Sequence, residues 1–112
     1  MLKESYISNW KNLPEDAIKI RVARPSILGP SEKLLWDYKN GKINWQEYKI
    51  QFRLEIISNP EAMKELDRIS ALSKTKDVYL ICYEKEYPCH RFILIDIIKE
   101  MEEYEQRLKD VS

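Results

Sequence analysis

Six consecutive apolar residues, Val78-Tyr79-Leu80-Ile81-Cys82-Tyr83, constrain this chain more than any other stretch of it. They follow the polar turn Lys74-Thr75-Lys76-Asp77. The run is short for a helix and rich in β-branched and aromatic residues, so it predicts a strand covered on both faces. Such a strand needs neighbours in a sheet. Residues 17–23 supply one: Ile18, Ile20 and Val22 alternate with Lys19 and Arg21 at the strand period, and Arg24-Pro25-Ser26 ends the pattern. Residues 2–7 or a partner subunit are candidates for a third strand. Tyr6 and Trp10, four apart, fit either one helical turn against the core or an irregular arm.

Between these strands the pattern changes to the helical period. A helix is predicted from Pro30-Ser31 to before Gly41, with Ser31 as its cap and Asn40-Gly41 as a left-handed stop. A second opens at Asn44-Trp45-Gln46-Glu47, a capping box with Asn in the first position, and runs to about Ile57. It aligns Trp45, Tyr48, Phe52 and Ile56 on one side. Asn59-Pro60 caps a third, with Met63, Leu66 and Ile69 as its stripe. A long last helix is expected from Pro88, with Leu94, Ile97, Met101, Tyr104, Leu108 and Val111 spaced as a heptad seam. Its first half is expected on the sheet. Its second half either pairs with another chain or frays.

Strand, helices, strand, helix implies an α/β fold: a small parallel sheet of two or three strands flanked by helices, with a long C-terminal helix, in one domain over residues 1–112. The 44% apolar content excludes wholesale disorder. No run reaches the roughly 20 apolar residues of a membrane span, and the N-terminus has no apolar signal core, so a cytoplasmic location is expected. The two cysteines are then expected as thiols. The 19 basic and 19 acidic residues cancel, which argues against a protein that lives by gripping nucleic-acid phosphates, although a local basic face stays open. Few glycines with much Ile, Lys and Glu resemble the bias of thermophile proteins.

Ligands of open parallel sheets bind beyond the carboxyl ends of the strands. Here those ends are Arg24-Pro25-Ser26 and Cys82-Tyr83-Glu84, the latter leading into Pro88-Cys89-His90-Arg91. Two helix N-termini are expected nearby. With Arg24, Ser31 and Arg91 they would favour a small anion or a phosphate. Cys89, in the first turn of a helix beside His90 and Arg91, is a candidate thiolate nucleophile, and His90 a candidate base. The competing explanations are a packed thiol and a locally hydrogen-bonded imidazole. Cys82 and Glu84 are accessory candidates: Cys82 fits core packing, or a redox pair with Cys89, and Glu84 fits proton transfer, pairing with Arg91, or plain solvation. No metal is expected, because Cys82, Cys89 and His90 are three soft ligands where a closed structural zinc site wants four, and adjacent residues on a helix diverge. No cofactor is expected. The aromatic residues Trp36, Tyr38, Trp45, Tyr48 and Phe52 are explained by helix packing, and a base-stacking platform lacks a basic excess to support it.

The run Gly29-Pro30-Ser31, then Leu34-Leu35, Tyr38-Lys39-Asn40-Gly41, Ile43, Trp45 and Tyr48, resembles the domain of unknown function 488 family. So does Leu80-Ile81-Cys82-Tyr83-Glu84 followed by Cys89-His90-Arg91, and so does Ser5-Tyr6 through Lys19–Ala23, which is similar to the short members. The resemblance spans about Ser5 to about Ile98. It implies a small cytoplasmic α/β protein without a settled activity. Cys82, Glu84, Cys89, His90, Arg91 and Pro30-Ser31 match motif positions, and the resemblance attaches no catalytic role to them. Longer relatives carry an Asp-Val-Arg-like stretch after the first strand; here Val22-Ala23-Arg24-Pro25 matches only the arginine.

Three functions follow as alternatives. One is an enzyme or sensor that holds a small anionic ligand at the sheet edge and acts through Cys89. Another is an interaction protein that homodimerises through residues 94–111. The last is a nucleic-acid-associated module tracking phosphates with Lys19, Arg21, Arg24 and Arg91.

Overall fold

The computed structural model describes residues 1–83 and 89–111. The apolar run becomes β3 (Val78–Cys82), and it takes the middle of a three-stranded parallel sheet. Its outer neighbours are β1 (Leu2–Tyr6) and β2 (Ile18–Arg21), giving the order β1-β3-β2. The third strand is therefore the chain's own N-terminus. Val78, Leu80, Ile81 and Cys82 are buried, as a central strand requires, whereas the edge strands are largely half-buried.

Register fixes the geometry that matters for the site. Leu2 and Ile18 both pair with Val78, Tyr6 pairs with Cys82, and Arg21 pairs with Ile81. Beyond β2, the Val22 amide still donates to the Ile81 carbonyl at 2.9 Å. The carboxyl ends of all three strands thus meet at one edge, at Tyr6, Val22 and Cys82.

The helices are α1 (Glu32–Lys39), α2 (Trp45–Ile57), α3 (Pro60–Ser73) and α4 (His90–Val111). Their starts follow from capping chemistry. Ser31 accepts from the Leu34 amide, Asn44 and Glu47 close a reciprocal capping box, and Asn59 accepts from Glu61 and Ala62 ahead of Pro60. Gly41, at φ 74°, takes the left-handed position that ends α1. Of the two readings of Tyr6 and Trp10 the helical one holds in its local form: Ile7–Asn12 is a 3-10 helix, although none of its residues is buried against the core.

α3 and α4 pack on β3, α4 also on β1, and α2 lies against α1, α3 and α4. The core is drawn from all of them, including Val22, Leu34, Phe52, Leu66, Leu80 and Leu94. In α4 the first half of the seam packs inward as expected, and the second half continues as exposed helix. Leu94, Ile97 and Ile98 are buried, each worth roughly 1.5–3 kcal/mol of apolar burial. Tyr104, Leu108 and Val111 are exposed. No helix among the described residues is long and apolar enough to cross a membrane.

Candidate functional site

The central strand delivers Cys82 to the sheet edge, and α4 begins beside it. Cys89 is not in the first helical turn, as expected from sequence, but immediately before it; its carbonyl accepts from Phe92 at 3.1 Å. The helix start, two positions later than expected, changes the geometry. Cys89 has left the helical course, so its side chain and that of His90 converge instead of diverging. His90 Nδ1 lies 3.7 Å from Cys82 Sγ and 3.8 Å from Cys89 Sγ. The three donor atoms fall within 4.8 Å of one another, and all three residues are buried. The expectation that neighbouring Cys89 and His90 could not share a ligand is overturned on this point. Both cysteines are thiols.

His90 is held on every side. Its Nε2–H donates to the Val22 carbonyl at 2.7 Å, which commits that proton and leaves Nδ1 facing the sulfurs. Phe52 meets the imidazole edge-on at 5.4 Å between centroids. Phe52 ends an aromatic ladder in which Tyr48 stacks on it at 6.0 Å and on Trp45 at 5.2 Å, with Tyr38 at 4.9 Å from Tyr48. The aromatic stripe of α2 is thus core packing, as expected, and it also aims the histidine.

The Cys89 thiol is lowered from its ordinary value to about 5. The chief cause is a hydrogen bond from the Cys82 thiol to the Cys89 sulfur, followed by hydrogen bonds from His90 and the backbone amide of Arg91 and by the charge on His90; burial opposes all of these. The Arg91 amide lies in the first turn of α4, where an N–H has no carbonyl of its own helix to meet and can turn to the Cys89 sulfur instead, so the start of α4 contributes directly.

Above the sulfurs is a cavity of about 230 Å³. Its lining includes Tyr38, Trp45 and Tyr48 on one wall, Arg24 and Lys39 as cations, and Cys82, Cys89 and His90. Among the described lining residues there is no carboxylate. Arg24 is half-exposed and 3.9 Å from the well-exposed Glu32. Gly29 lets its loop close on Arg24, because a Cβ there would stand 3.0 Å from the Arg24 amide nitrogen.

Two expected anion ligands are elsewhere. Ser31 does not line the cavity: its amide donates to Glu55 Oε1 at 2.9 Å and its hydroxyl to Glu55 Oε2, so the start of α1 already holds a carboxylate of this chain. Arg91 is 1% exposed, donates from Nε to Glu4 Oε2 at 2.6 Å, and lies over the Phe92 ring. It pins α4 to β1 and offers no charge to the cavity. It also drops out of the supposed phosphate track, in which Arg21 is bonded to the Tyr83 hydroxyl at 2.9 Å. Glu84 and Pro88 lie outside the described residues. Sequence reasoning missed the Val22 carbonyl, Lys39 and the role of Phe52. The helical spacing of the aromatic residues was visible, but which element their face would meet was not.

A family model described as the active DUF488-N3 subclade, DUF488-N3a, matches residues 17–102. That span contains the aromatic wall, Arg24, Lys39, both cysteines and His90. No curated protein and no solved structure matches the chain.

Proposed function

The chain belongs to the DUF488 family, and from that premise we propose that it binds a small anionic ligand at the carboxyl edge of its sheet and acts on it through Cys89. The observation that carries this reading is His90: Nε2 is tied to Val22 while Nδ1 faces both sulfurs at the base of a lined cavity. The name of the matched subclade, with the word active in it, is in keeping with catalysis. Cys89 Sγ is the nucleophile. In the reaction its proton passes to His90 Nδ1, Cys82 donates to the resulting thiolate, and a bond forms between Sγ and an electrophilic centre of the ligand as the bond to the departing group breaks. His90 returns the proton to the departing group. Arg24 and Lys39 hold the anion, and Tyr38 and Trp45 accept a flat apolar portion.

Two alkylating probes test this. Iodoacetate carries a carboxylate and iodoacetamide does not. The iodoacetate-to-iodoacetamide rate ratio at Cys89 is expected to exceed that of a free thiol by about tenfold. Replacing both cations, Arg24→Ala with Lys39→Ala, is expected to remove the excess while iodoacetamide still reacts. A ratio equal to that of free cysteine in the native chain rules out the anion pocket; a Cys89 that neither reagent reaches rules out the thiol mechanism.

A second reading rests on α4. Met101, Tyr104, Leu108 and Val111 continue the buried stripe outward, and the last three are exposed. Self-association through this seam predicts a mass that rises with concentration in sedimentation equilibrium, and a Leu108→Glu variant that stays monomeric. A monomer at all concentrations removes this reading.

A further inference from the structure

Two edges of the same triangle, from sulfur to nitrogen, have the dimensions of a metal site. A tetrahedral zinc with Zn–S of about 2.3 Å and Zn–N of about 2.1 Å separates sulfur from nitrogen by roughly 3.6 Å and sulfur from sulfur by roughly 3.8 Å. Here the two sulfur-to-nitrogen distances are 3.7 and 3.8 Å, and the whole set lies within 4.8 Å. The donors are two thiols and the unsubstituted imidazole nitrogen, a set that suits a borderline or soft cation over magnesium or calcium. The outer hydrogen bond is also in place. A metal-bound histidine ordinarily donates its other N–H to a carbonyl or carboxylate, and His90 Nε2 already donates to Val22.

We infer that Cys82, Cys89 and His90 bind one Zn2+-like cation through Sγ, Sγ and Nδ1, with the fourth position turned to the cavity. Three protein ligands and one open position are the arrangement of reactive zinc sites; closed structural sites use four. The absence of a fourth soft ligand in the sequence is therefore no obstacle. On binding, the Cys82 proton and the proton shared between Cys89 and His90 Nδ1 leave to solvent, and each sulfur forms a bond to the metal. His90 contributes its Nδ1 lone pair and keeps the Nε2 proton. No electron transfer is involved. Water, or the anion that Arg24 and Lys39 attract, completes the coordination.

The consequence for the thiol reaction is regulatory, and this part alone rests on the function proposed above. A sulfur bonded to the cation shares a lone pair with it and loses electron density to it, so it is a weaker nucleophile than a free thiolate. Cys89 is thus a nucleophile in the metal-free protein and a ligand in the loaded one.

Cobalt(II) and zinc(II) are the probes, added to the reduced full chain. One equivalent of Co2+ is expected to give a thiolate-to-cobalt charge-transfer band that Zn2+ displaces at one to one. Cys82→Ser and His90→Ala are each expected to weaken binding by more than the roughly 10–100-fold that loss of an outer hydrogen-bond partner costs. In the unaltered chain, which needs no variant to fold, one equivalent of Zn2+ is expected to stop iodoacetamide labelling and a chelator to restore it. Absence of the cobalt band together with full labelling in the presence of Zn2+ overturns the metal site and leaves the thiol reading standing. A band that persists unchanged in both variants overturns it too. A normal cobalt band on a chain whose metal-free Cys89 never labels supports the metal site and removes the thiol reading.

Discussion

Followed by the ultraviolet absorbance of the thiolate, the folded protein is expected to ionise one cysteine with a midpoint near pH 5, and to lose that transition in Cys89→Ser. Cys82→Ala should raise the midpoint most, because the Cys82 thiol is the largest cause of the lowering; His90→Ala should raise it too. A midpoint near the ~8.5 of an ordinary thiol refutes the arrangement. The rate of alkylation gives a less obvious signature. At pH 7 a thiol with a value of about 5 is almost fully ionised, and one of 8.5 about 3% ionised, a gain of roughly 30-fold in thiolate. A weaker base is also a weaker nucleophile, and with a Brønsted slope of 0.4–0.5 the same difference lowers intrinsic reactivity by roughly 30-fold. The two effects cancel near pH 7. Cys89 is therefore expected to outrun free cysteine by about tenfold or more at pH 5.5, to lag it at pH 8.5, and to show a flat profile between. Stability follows the same ionisation. The folded value lies below the unfolded one, so the thiolate stabilises the fold fully above about pH 9 and progressively less as pH falls towards 5. Cys89→Ser should flatten the stability–pH curve across that window, read by urea denaturation at several pH values.

The frame of the fold was legible because its signals are local. A short apolar run rich in β-branched and aromatic residues points to a central strand, and Ser31, Asn44 and Asn59 announce helix starts through the amides they cap. The carboxyl-edge position of Cys82 followed from parallel topology alone. The inner geometry of the site was not local. Cys89 and His90 converge because α4 starts two residues later than the sequence pattern implies, and a shift of two residues lies within the ordinary ambiguity of helix ends. The Val22 carbonyl has no signature in sequence, since any residue carries one. Arg91 was misread for a related reason. A helix start with an adjacent arginine looks like an anion site until the tertiary structure supplies Glu4, 87 residues away, as its partner. Ser31 looked available for the same reason until Glu55 closed on it.

Arg91→Ala is expected to destabilise the protein by roughly 3–5 kcal/mol, the upper part of the range for truncating a large, fully buried side chain. Two losses combine. The guanidinium is fully enclosed, so its removal leaves a cavity beside Phe92 and strips Glu4 of its partner. Domains of this size are stable by about 5–15 kcal/mol, so roughly a fifth or more of the total is at stake. Glu4→Gln should cost less, about 1–3 kcal/mol, because it keeps a hydrogen-bond acceptor and because Glu4 is 37% exposed, so water can enter beside Arg91. Arg91→Met should recover part of the loss of Arg91→Ala, since it refills the volume without a charge that needs a partner. Urea midpoints at pH 7 for the three variants separate packing from charge. The order expected is Arg91→Ala lowest, then Arg91→Met, then Glu4→Gln. An Arg91→Ala protein with an unchanged midpoint but no preference for iodoacetate would return Arg91 to the ligand site, and the Glu4 contact would then be incidental. A lowered midpoint with the iodoacetate preference intact assigns Arg91 to holding α4 on β1. That role bears on the chemistry indirectly, because the start of α4 carries Cys89 and His90, and only an α4 held in register keeps Nδ1 between the two sulfurs.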